Sequence, residues 1–119
     1  MKIELHQLNR AVIAEIKSDE ILIAETQDAL DLMGECYYDG CNKIIIQRKN
    51  IIPDFFNLRT GLAGDVLQKF STYELQLAIV GNYSDITSNA FKDFMWESNR
   101  QGQIIFVETV EEALEQFSK

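Results

Sequence analysis

The 119 residues carry 46% hydrophobic and 25% charged side chains, a balance that excludes a largely disordered chain and suffices for one ordinary domain with an unstapled core. Nineteen acids against eleven Lys and Arg give a net charge of −8, which repels phosphate backbones and anionic lipid and argues against nucleic-acid and membrane partners. No apolar run is long enough to span a bilayer, and Met1 leads into an alternating segment rather than a signal-peptide core, so a cytoplasmic location is expected.

Ile3, Leu5 and Leu8 alternate with polar residues, Asn9-Arg10 turns the chain, and Ala11 to Ile16 resumes as a second strand. Two short strands this close predict an antiparallel hairpin. Ser18-Asp19 breaks the pattern and Ile21-Leu22-Ile23 forms a short extended piece. From Thr26, Ala29, Leu30, Met33, Cys36 and Tyr37 recur at helical spacing, with Thr26 as expected N-cap and Gly40 as the left-handed stop. Ile44-Ile45-Ile46 is a continuous β-branched run, as in a strand covered on both faces; the cations of Lys43 to Lys49 are read as its charged ends rather than as a basic patch.

Gln47 to Leu58, with the only proline at Pro53, is the least regular stretch. Beyond it Leu58, Leu62, Ala63, Val66, Leu67 and Phe70 make a helical stripe, and Leu75 to Val80 predicts another buried strand closed by Gly81-Asn82. Thr87 or Ser88 is placed to cap a helix whose face holds Ala90, Phe91, Phe94 and Met95, ending at Asn99 to Gly102. Ile104 to Val107 is the last strand, and Thr109-Val110-Glu111-Glu112 reads as a capping box for a terminal helix that turns Ala113, Leu114 and Phe117 inward. The order predicts a single α/β domain over residues 1–119, with a mixed, mostly parallel sheet opened by the N-terminal hairpin and about four helices.

Chemistry-bearing patterns are scarce. Cys36 and Cys41 read as two partly buried thiols; two cysteines do not complete a zinc site, and His6, the only histidine, lies on a distant strand, so no metal or cofactor is expected. Arg59 to Gly64 lacks the spacing of a phosphate-binding loop. Asp28 with Asp31, and Glu111 with Glu112, sit in first turns or on solvent faces, where the helix dipole favours acids without any catalytic role. No nucleophile motif accompanies His6, so no catalytic residue is assigned and a non-enzymatic protein is expected. Trp96 falls off its helical stripe, and at least one of Tyr37 and Tyr38 is expected to be exposed.

Leu58-Arg59-Thr60-Gly61-Leu62-Ala63, the helix after it and Leu75 to Gly81 resemble STAS domains, the anti-sigma-factor-antagonist fold, as does the ending from Ile104 to Leu114. The whole chain more closely resembles a bacterial family of unknown function, domain of unknown function 4180, through Gln27 to Leu32, Pro53 to Leu58 and Glu97 to Arg100. The STAS resemblance implies a regulatory protein-interaction module with Thr60 as phosphoacceptor and a partner such as a kinase-type regulator. The implied partner or ligand surface comprises Arg48, Lys49, Asp54, Asn57, Arg59, Gly61 and Asn82. In place of the acidic residue that usually precedes the acceptor pair, this chain has Asn57-Leu58-Arg59. A purely structural role for Thr60, capping the helix, competes with the switch. The alternative function is a small-anion-binding or enzymatic site at the carboxyl ends of the parallel strands, where Arg48, Lys49 and Asn82 would hold the anionic group. A third alternative is a self-associating structural protein.

Overall fold

Asn9 and Arg10 both hold positive φ, 48° and 72°, the backbone of a two-residue turn whose twist matches that of the strands it joins. It folds β1 (Lys2–Leu8) against β2 (Ala11–Lys17) in antiparallel register from Lys2↔Lys17 to Leu8↔Ala11. The computed structural model describes all 119 residues. Then follow α1 (Thr26–Tyr38), β3 (Lys43–Gln47), α2 (Leu62–Thr72), β4 (Gln76–Val80), α3 (Asn89–Gln101), β5 (Ile104–Val107) and α4 (Val110–Phe117).

The five strands lie in sequence order, and β2 to β5 are parallel. Right-handed crossovers that step in one direction place every intervening helix on the same face. Accordingly α1, α2 and α3 share one core with Ala14, Ile16, Ile44, Ile46, Leu77, Ile79, Ile104 and Phe106. The alternate residues Ile13, Ile45, Ala78, Val80 and Ile105 point to the other face. No strand follows β5, so α4 is free to fold back over that second face, where it buries Ala113 and Phe117. The isoleucine run of β3 is fully buried because this strand is central and covered on both sides.

Local details differ from the expected ones at several points. The N-cap of α1 is Glu25, not Thr26, because the Asp28 carboxylate reaches back to accept the amides of Ala24 at 2.9 Å and Glu25 at 3.2 Å. Helix α2 begins at Leu62, not Leu58: Leu58 to Thr60 form a 3-10 turn closed by Gly61 at φ 79°, a conformation that only glycine adopts without strain. Ala90 is exposed and does not join the core stripe of α3. Ser88 caps that helix, accepting the Phe91 amide at 3.2 Å, and Thr109 caps α4, accepting the Glu112 amide at 3.1 Å.

Cys36 and Cys41 are paired as a disulfide rather than free, a correction to the thiol reading. The cause is the end of α1. Gly40 is left-handed at φ 78°, the Cys41 amide returns to the Cys36 carbonyl at 3.0 Å, and the Gly40 amide bonds Tyr37 at 3.0 Å. That pattern closes a helix by bringing the side chains at these two positions together. Here both are cysteines, with Cα atoms 5.3 Å apart, within the span a disulfide bridges.

Candidate functional site

The carboxyl ends of β2 to β5 and the starts of all four helices share one edge of the sheet, so exposed amides and positive dipole ends gather there. Between β3 and α2 the chain crosses this edge in three 3-10 turns, Arg48–Asn50, Pro53–Phe56 and Leu58–Thr60. Phe55 anchors the crossing: it is fully buried and packs edge-on to Phe91 at 6.4 Å.

Asn50 fixes where the crossing begins. Fully buried, it accepts the Gln47 amide at 2.9 Å and donates to the carbonyls of Ser18 at 2.8 Å and Glu20 at 2.9 Å. It thereby ties the β2 exit to the β3 exit, and Ile23 pairs in parallel with Ile51 just beyond. Although Asn50 follows β3 at the carboxyl edge of the sheet, its side chain turns inward.

Arg48 is equally committed. Its guanidinium donates to the Asn82 carbonyl at 2.6 Å and to both oxygens of Asp85 at 2.7 and 2.9 Å. It also stacks 4.5 Å from the centre of the Phe56 ring and 5.5 Å from that of Tyr83. This bidentate, stacked geometry is specific to arginine. The hydrogen bonds from Arg48 hold the Asp85 carboxyl below its ordinary value. Gly81 permits the arrangement: a Cβ there would lie 2.7 Å from the Arg48 Cβ. Tyr83 donates to the Ile79 carbonyl at 2.5 Å, and burial pushes its phenol pKa well up, so it serves as a neutral post. Lys49 pairs with exposed Asp19 at 2.9 Å.

Asp54, Asn57, Arg59, Thr60 and Gly61 form a separate, exposed knuckle against the first turn of α2. The Thr60 hydroxyl lies 2.8 Å from the Asp54 carbonyl and 2.9 Å from that of Asn57, and accepts the Leu62 amide at 3.3 Å. The Asn57 side chain accepts the Arg59 amide at 3.1 Å. Thus Thr60 ties two 3-10 turns to the helix start. Arg48 and Asn82 touch each other, and Phe56 bridges them to the knuckle, but Lys49 faces Asp19 on the other side.

One cluster has the composition of a metal site. Glu4, His6 and Glu15, from facing positions of β1 and β2, place ligand atoms within 4.8 Å of one another. The geometry suits a divalent cation held through one imidazole and two carboxylates. Each group already has a partner, however: His6 Nε2 lies 2.8 Å from Glu15, and Lys17 sits 3.0 Å from Glu4 and holds its carboxyl below the ordinary value. These contacts satisfy the groups among themselves, and the His6 contact offsets the burial of the Glu15 carboxylate.

Residues 8–117 match the family described as Domain of unknown function (DUF4180). The chain belongs to that family. The passages Pro53 to Leu58 and Glu97 to Arg100 acquire structural meaning within this DUF4180 chain. The first supplies the Phe55 anchor; in the second, buried Ser98 donates to the Ile104 carbonyl at 2.5 Å, and Asn99 accepts the Phe106 amide at 2.6 Å. Asn99 thereby shields the β5 edge, which no further strand covers. Among solved structures the fold is similar to a candidate anti-sigma factor antagonist from Thermotoga maritima, with a TM-score of 0.51, 14% identity, and 98% of this chain and 95% of that one covered. The α/β fold is therefore STAS-like. No curated protein matches the sequence, and no helix is long and apolar enough to cross a membrane.

Proposed function

We infer that this protein is a regulatory protein-interaction module of the anti-sigma-factor-antagonist kind, docking a partner through the start of α2 and the turns before it. The observation that carries the reading is the Thr60–Gly61 knuckle, an exposed hydroxyl presented at a helix N-terminus. The fold similarity supports it. Gly64 adds to it, because this exposed helical residue has no side chain and its Cβ would meet nothing within 4 Å, which leaves the backbone beside Thr60 open to a partner.

Phosphorylation of Thr60 by a kinase-type partner is the proposed switch. Transfer of a γ-phosphoryl group from a nucleoside triphosphate breaks the P–O bond to its β-phosphate and releases the nucleoside diphosphate, while a new P–O bond forms at Oγ1 and the hydroxyl proton passes to a base. The donor that ties Thr60 to Asp54 and Asn57 is then lost, and about two negative charges face those two carbonyls. The knuckle would open toward the α2 dipole, and a partner docked on it would lose its contact.

The anionic-ligand alternative is disfavoured by the pairing of its cations, Arg48 with Asp85 and Lys49 with Asp19. The test is isolation of the chain from its native host, with phosphosite mapping and comparison of wild type, Thr60→Ala and Thr60→Glu for co-purifying proteins. The expected result is phosphate on Thr60 and a partner lost selectively from Thr60→Glu. Identical partner sets for all three, with Thr60 never modified, would overturn the switch.

A further inference from the structure

A second surface lies at the far end of α2 from Thr60, about 16 Å along the helix. Gly34 stands in the middle of α1, exposed. Its φ is not positive, and a Cβ there would meet nothing within 4 Å. Neither backbone conformation nor internal packing requires glycine at this position, and alanine would favour the helix by about 1 kcal/mol. What the missing side chain creates is a cleft. Gly34 lines a recess of about 460 Å³ between α1 and the end of α2, with Leu30, Met33, Tyr37, Tyr73 and Leu75. It also lines an adjoining recess of about 330 Å³ with Ile3, Glu35, Tyr38 and Asp39.

The surroundings specify an occupant. Tyr37, Tyr38 and Tyr73 are 79%, 91% and 59% exposed, an aromatic concentration typical of interface anchors. Helix α1 carries Asp28, Asp31 and Glu35 and not one Lys or Arg. Glu35 and Asp39 line the adjoining recess, which shares Gly34 with the apolar one, and Glu74 follows Tyr73, while Lys69 lies in the last turn of α2 and Arg10 lines a further recess with Tyr37. An acidic rim on a chain of net charge −8 opposes a second copy of the same chain and attracts a cation-bearing segment. We propose that the α1–α2 cleft is a docking groove for a basic, amphipathic helical segment of another protein, whose apolar side chains enter the cleft against the Gly34 backbone while its Lys or Arg residues meet Glu35 and Asp39. It is a separate face from the Thr60 knuckle and does not depend on it.

The probe is a helical peptide of about 18 residues, long enough to hold a helix, with Leu and Trp on one face and Lys on the other. A scrambled peptide of equal composition serves as control. Backbone-amide NMR shifts on adding the peptide should concentrate at Gly34, Tyr37 and Tyr73 and leave Thr60 unmoved. Gly34→Leu, which fills the cleft, should weaken binding by about tenfold or more, as read by fluorescence anisotropy. Its thermal midpoint should stay level or rise, because leucine is the better helix former. The double variant Glu35→Lys with Asp39→Lys should weaken binding and reduce its salt dependence. Equal binding of the scrambled peptide, shifts centred elsewhere, or unchanged affinity of Gly34→Leu would each overturn the proposal. So would a concentration-dependent dimer that Gly34→Leu abolishes, since the occupant would then be a second copy. Loss of the Thr60 switch would leave all of these readouts unchanged.

Discussion

Replacing Asn50 by alanine should cost this protein about 2–3 kcal/mol, more than its place in a surface crossing suggests. The side chain is fully buried and makes three hydrogen bonds, each between 2.8 and 2.9 Å, to the backbone of Gln47, Ser18 and Glu20. A hydrogen bond of this kind contributes about 1 kcal/mol net. Glu20 is exposed, so water recovers part of its loss, and the sum falls somewhat below three full bonds. Urea denaturation reads the effect as a lower midpoint at unchanged m-value, and heat as a fall of about 6–15 °C. Asn50→Asp sharpens the test. The carboxylate still accepts the Gln47 amide but loses both donors and buries a charge, so it should be at least as destabilising as alanine. A loss below about 0.5 kcal/mol for alanine, or an aspartate variant as stable as wild type, would refute the assignment of Asn50 as the tie between the two strand exits.

Glu74 ends α2 in the left-handed region at φ 57°, so Glu74→Gly should stabilise the fold by about 1 kcal/mol, visible as a raised thermal midpoint. Gly81→Ala should destabilise by about 1–3 kcal/mol, because its new Cβ overlaps the Arg48 Cβ and forces the arginine off Asp85; an unchanged denaturation midpoint would contradict that. Arg48 depresses the folded pKa of Asp85 below the ordinary 3.8. The stability this provides is complete above the unfolded value and is lost as pH falls through the depressed one. Asp85→Asn should therefore flatten the pH dependence of stability below about pH 4 in denaturation curves, and an acid limb as steep as wild type would remove Asp85 from the account.

The fold was legible wherever a local period or cap decided it. The β-branched run of β3, the stripe of α2 and the caps Ser88 and Thr109 belong to single elements, and their spacing states burial directly. The boundaries that shifted were those where a side chain reached across a cap, as Asp28 does, or where a left-handed glycine broke a continuous apolar stripe, as Gly61 does. The Cys36–Cys41 pair was in principle readable, since a glycine just past a helix end places these two positions in contact.

Arg48, Lys49 and Asn82 lie on the carboxyl edge that strand order alone assigns them, yet nothing in the sequence reveals that Asp85 and Asp19 neutralise the two cations. Nor does any local pattern distinguish Asn50, which faces inward, from its exposed neighbour Lys49. Those pairings join residues about 30 or more positions apart, and only the packed sheet brings them together. Hydrophobic periodicity is a local property, so the sequence sufficed for the alternation of strands and helices and hence for a mixed, mostly parallel sheet opened by a hairpin. The tertiary structure alone decided which polar groups remain available to a partner. Availability depends on what the chain has already satisfied from within.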